Sequence, residues 1–156
     1  MVILLLGAAL AAPLDADRFS VSLPAEMDLV GLAFGLHPEL LWTPLGPQGA
    51  FHVRAATGLM VGPELALVPL SLGVREVAFP TRRVRPGVGM GVQLQSFFPD
   101  HHPPVLRLDL TMEATLDVAV AEGWRVGAAL SPEFGMVGGF GLGMAARLGV
   151  ERALPW

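Results

Sequence analysis

Cysteine, lysine, asparagine and tyrosine are absent from all 156 residues. Without cysteine the chain has no disulfide, no thiolate metal site and no thiol nucleophile, although this leaves its compartment open. Without lysine, all ten basic residues are arginine, so the flexible ammonium groups that keep an exposed surface soluble are missing. Charge is scarce altogether: 15% of residues are charged, against roughly 25% in soluble domains. The hydrophobic share is 53%, above the usual range of about 45–50%. A net charge of -4, with no basic run longer than Arg82 and Arg83, excludes a nucleic-acid footprint. No segment offers about 20 uninterrupted apolar residues, which excludes a transmembrane helix. A membrane, if one is involved, must be crossed by strands.

The opening run MVILLLGAALAA is apolar and ends in small residues, and Ala9-Leu10-Ala11 forms an A-x-A site with cleavage before Ala12. Residues 1–11 therefore read as an export signal and 12–156 as a single domain, a length with room for one sizeable core.

The rest of the chain is dominated by alternation with a period of two, punctuated by Gly and Pro. Between Val105 and Ala121, Leu106, Leu108, Leu110, Met112, Ala114, Leu116 and Val118 share one face of an extended strand, and Arg107, Asp109, Thr111, Glu113, Thr115 and Asp117 share the other. The same rule recurs around Val21, Phe34, Val53, Met90, Val126 and Leu148. In Leu65–Phe79 the parity breaks at Leu65 and Leu67, and Pro69 cannot donate to a ladder, so a bulge is expected there. About eight strands joined by short connections predict an all-β fold: one closed, antiparallel, up-and-down barrel.

Glycine indicates which face is inside. Glycines repeated mid-strand weaken a water-facing surface, whereas inside a narrow barrel they make room for larger neighbours. In this chain they share a face with the charges. The predicted lumen set is His37, Glu39, Arg54, Arg75, Arg85, Arg107, Asp109, Glu113, Asp117, Arg125 and Arg147, with Glu151 as a further counterion. Enclosed charges require pairing, and the planar guanidinium fork suits that better than an ammonium. Leu, Val, Phe and Met are left to face outward, toward lipid.

In this pattern, and in the stretches GLHPELLWTPLG, GLMVGPELALVPLSLGVRE, RVRPGVGMGVQLQSFFPD and LSPEFGMVGGFGLGMAARLGV, the chain resembles the small outer-membrane β-barrels of the OmpA/OmpX type, including the short barrels of GC-rich Gram-negative bacteria. The resemblance implies export to the bacterial outer membrane and the lipid bilayer as partner. It also implies that the outer-membrane assembly machinery reads the terminal aromatic, here Trp156. A monomer is expected.

Catalytic motifs do not emerge. Asp100, His101 and His102 lie in a Pro-rich turn whose adjacent histidines do not converge on a metal. His37 and Glu39, two residues apart, with Ser71 or Ser131, are the one combination suited to hydrolysis, and a buried polar network accounts for them better. GVGMGV and GFGLGM lack the helix that a nucleotide loop needs. The expected function is that of a non-enzymatic outer-membrane barrel with a structural or interaction role, no cofactor and no metal. An eight-stranded lumen filled by side chains should conduct little. Two other readings stay open: a soluble lipocalin-like barrel for a small apolar ligand, and a lipid-modifying barrel enzyme.

Overall fold

The computed structural model describes residues 19–30, 32–44, 49–63, 65–137 and 141–154. The export-signal segment, Gly31, Phe140 and Trp156 lie outside the described residues.

Every described element is a strand: β1 (Phe19–Asp28), β2 (Phe34–Leu36), β3 (Glu39–Trp42), β4 (Phe51–Thr57), β5 (Leu59–Val61), β6 (Leu65–Val77), β7 (Val84–Pro99), β8 (Val105–Ala121), β9 (Trp124–Val137) and β10 (Leu142–Ala153). Each pairs antiparallel with its neighbours, and β10 returns to β1, from Ser20 opposite Ala153 to Asp28 opposite Ala145. β2 and β3 both pair with β1, and β4 and β5 both pair with β6, so each couple forms one interrupted stave. The result is a closed barrel of eight staves. Closure leaves no free sheet edge.

Glycine and proline govern the interruptions. Gly35 and Gly58 pass so close to the backbone of the facing segment that a Cβ on either would collide with it. The Gly58 N–H donates to the Pro69 carbonyl at 3.2 Å. Pro69 thus turns its missing donor toward the gap between β4 and β5, where no ladder bond is required. The expected bulge does not form: β6 pairs with β7 in unbroken register from Leu65–Pro99 to Val77–Gly87. Leu65 and Leu67 follow the inward parity because the lumen is apolar at that end, where Ala33, Met60 and Leu67 are buried against Leu65 and Phe97. Irregularities fall instead in β8, between Leu108 and Asp109 and between Ala119 and Ala121.

With an even number of staves, the start of β1 and the end of β10 share one rim, called here the terminal rim. The β6–β7 and β8–β9 turns close the same rim. At the far rim, the β1–β2 connection turns sharply through Leu32, whose φ is 54°, and Asp28 N–H donates to the Ala33 carbonyl at 2.8 Å. Val30 and Leu32 continue the sequence alternation of Phe34 and Leu36, which predicts a longer strand, but they belong to a turn and the strand begins at Phe34.

Candidate functional site: the barrel lumen

Charge and greasy side chains are segregated in the reverse of a soluble protein. Among the described residues, the buried set is mostly polar or ionised, including Glu26, Arg54, Arg85, Asp109 and Glu133. Thirty-six large hydrophobic side chains are exposed, among them Leu72, Val88, Leu106, Leu130 and Leu148.

The lumen is organised around Glu113 on β8. Arg54 on β4 donates to its carboxylate at 2.7 Å, Arg75 on β6 at 2.8 Å, and Arg147 on β10 completes the group with a further short contact. Glu39 on β3 is the second hub, accepting from Arg147 at 2.5 Å and from Arg54 at 3.3 Å, with Arg75 at 3.6 Å. Three guanidiniums and two carboxylates from five strands are thus tied together at the centre, which is how buried charges must be arranged to offset their lost hydration. On the far-rim side, Glu26 bonds to His37, and Arg147 lies 3.9 Å from Glu26. Beyond it, Gln95 donates to Glu133 at 3.0 Å and Gln93 at 3.3 Å, and the Arg107 side chain lies 2.7 Å from Asp109 while resting on the Phe97 ring. Toward the terminal rim the pairs are Arg125 with Glu151 at 2.8 Å and Arg85 with Asp117 at 3.6 Å, and the Thr43 hydroxyl meets His52 Nδ1 at 3.0 Å.

Of the eleven residues singled out from the sequence, nine are buried, while Arg107 and Arg125 sit nearer the rims and keep about a fifth of the side chain exposed. His37 is brought to Glu26 and not to Glu39. The Ser131 hydroxyl donates to the Met112 carbonyl at 2.7 Å, and the Ser71 hydroxyl is fully enclosed, with no protein partner in reach among the described residues. Among the described residues no contact joins His37, Glu39 and a serine into a catalytic group. Among the described residues no three His, Asp or Glu side chains are placed to hold a metal ion, Asp100, His101 and His102 included.

Period-two alternation places His52, Gln93 and Gln95 on the same face as Arg54 and Arg85, although they were not counted in the network, whereas Glu26 and Glu133 were missed; all five are buried in the lumen. The signal was present: Glu26 continues the parity of Ser20, Ser22 and Pro24, and Glu133 that of Arg125, Gly127, Ala129 and Ser131. Between the central cluster and the terminal-rim pairs lies a cavity of about 30 Å³, lined by Glu39, Arg75, Thr115, Asp117, Arg147 and Glu151 among others. That space is of the order of a water molecule.

No protein-family model and no curated protein matches the chain. Solved structures do. The N-terminal β-barrel domain of Pseudomonas aeruginosa OprF superimposes with a TM-score of 0.71 at 15% identity, over 86% of this chain and 95% of that one. The fold is that of a small outer-membrane barrel. Neisserial surface protein A (NspA) superimposes with a TM-score of 0.62 at 11% identity, over 87% of this chain and 94% of that one. At such identities the likeness is one of fold alone.

Proposed function

We propose that the chain is a non-enzymatic barrel of the bacterial outer membrane, with a structural or interaction role and a lumen closed by its own side chains. One observation carries this reading: the exposed face of the closed sheet is a continuous apolar surface, while nearly every strand charge is enclosed. Soluble monomers rarely expose contiguous apolar patches beyond a few hundred Å², whereas lipid tails suit such a face. The height fits as well. The ten residues of β1 extend about 33 Å, or roughly 25 Å along the normal at the usual barrel tilt. Backbone donors and acceptors are satisfied between strands around the whole circumference, as a hydrocarbon environment demands.

A soluble barrel holding an apolar ligand fits poorly, because the lumen cavity of about 30 Å³ is walled by Glu39, Arg75, Asp117, Arg147 and Glu151. A lipid-modifying enzyme fits no better, since His37 and Ser71 are enclosed on the side away from lipid. The test is fractionation and reconstitution. The expressed protein should require detergent and should insert into phospholipid vesicles with protection of its strands from protease; a stable, detergent-free monomer would overturn the reading.

A further inference from the structure

The charged residues outside the lumen are distributed unevenly between the two rims. Arg82, Arg83 and Arg152 all lie exposed at the terminal rim, on the arc from the β6–β7 turn to the end of β10. Among the described residues, Glu76 and Glu122 are the acids exposed along the same rim. At the far rim the described charged groups outside the lumen are Asp28 and Asp100, with His101 and His102 beside them.

Two of the three guanidiniums are mounted on aromatic rings. Arg152 stands opposite Trp124 in the β9–β10 ladder, with its guanidinium 5.0 Å from the ring centroid. Arg82 lies 5.3 Å from the Phe79 ring. The third, Arg83, donates from Nε to the Ala119 carbonyl at 3.2 Å and so is held to β8. Both rings face outward, Phe79 being 59% and Trp124 41% exposed. Phe79 also occupies the left-handed region, with φ 52°, in a turn closed by the Arg82 N–H donating to the Phe79 carbonyl at 2.9 Å. A bulky aromatic residue rarely adopts that conformation, and strain of this kind persists where the surrounding structure enforces it.

From this arrangement we infer that the terminal rim is a docking surface for anionic phospholipid headgroups. The inference rests on the membrane-spanning reading above. Each ring lies at the border where acyl chains meet headgroups, the level at which interfacial aromatics settle. Stacking then holds the guanidinium at the same level with its N–H groups free to donate to phosphate oxygens, which the planar fork can bind two at a time. The terminal rim, with three arginines against two acids among the described residues, attracts phosphate, while the described acids of the far rim repel it.

The test uses the full chain in lipid nanodiscs of equimolar phosphatidylcholine and phosphatidylglycerol, followed by mass spectrometry of the lipids that stay bound after extraction. Phosphatidylglycerol should be enriched about fivefold over phosphatidylcholine, and the triple substitution R82Q/R83Q/R152Q should bring the ratio to that of the bulk bilayer. The pair D28N/D100N at the far rim should leave the enrichment in place, which would exclude a general effect of net charge. Retention in bulk proportions by the natural chain, or unchanged enrichment in the triple variant, would overturn the inference while leaving the membrane reading intact. Failure to enter either lipid would overturn both.

Discussion

Gly89 stands between Arg75 on β6 and Glu113 on β8, in register with both, and the two charged side chains meet over it at 2.8 Å. A methyl group at Gly89 would fall 2.5 Å from the Glu113 carboxylate and 2.8 Å from the Val74 carbonyl. The missing side chain is therefore the space in which the ion pair forms. The same relationship recurs around the lumen: Gly127 faces Asp117, Gly143 faces Glu133, Gly135 faces Asp109, Gly73 faces Arg54 and Gly35 faces Glu26. Glycine weakens an ordinary strand, and here it creates room on the partner strand for a charge.

Gly89→Ala should lower stability by about 1–3 kcal/mol through overpacking, measured as a shift in the urea midpoint of the reconstituted protein. Gly141→Ala is the control. Its added carbon would have only the Arg107 guanidinium at 3.7 Å, so a change within about 0.5 kcal/mol is expected. Equal effects at the two sites would show that the packing argument is wrong.

Glu113→Ala should cost about 3–5 kcal/mol, because it leaves buried guanidiniums without their shared acceptor. Arg54, Arg75 and Arg147 all depend on it. Equilibrium unfolding compared with Glu122→Ala, an exposed turn residue, provides the measurement. A cost no larger than at Glu122 would mean that the cluster is not what holds the lumen together.

Met112 lies mid-strand on β8 and is 49% exposed. Met112→Arg should cost about 2–4 kcal/mol if that face contacts the hydrocarbon midplane. On a water-facing surface the same change would fall within about 0.5 kcal/mol. Unfolding in vesicles separates the two cases, and a negligible cost would contradict the proposed membrane contact.

Planar-bilayer recordings of the inserted protein should show no sustained open channel, because an eight-stranded interior is filled by its side chains and the central cluster joins five strands across this one. A steady current like that of a water-filled pore would show that the lumen is open.

Much of the barrel was legible because its physics is local. Side chains alternate across a strand, so Arg107 and Asp109 fall on one face and Leu106 and Met112 on the other whatever the strand pairs with. The carboxylates were legible as counterions but not their partners, which the ladders supply: Arg85 faces Asp117, and Arg125 faces Glu151. The misreadings came where something distant decided the outcome. Leu65 and Leu67 looked like a break in parity because the apolar end of the lumen, formed with Ala33 and Met60, cannot be seen from β6 alone. Glu26 and Glu133 were passed over because Pro24 and Pro132 interrupt the visible pattern, although the parity runs through both.

By itself, then, the sequence determined that the chain makes strands, which side chains share a face, and that one face is bulky and apolar while the other is small or charged, since all of this follows from a two-residue repeat. Only the tertiary structure decided the partners at the centre. Arg147 reaches Glu39, 108 residues away, and Arg54 reaches Glu113, 59 residues away. Those meetings depend on the closure of the sheet and on how far each strand is staggered against the next, a property of the whole ring that no single strand encodes.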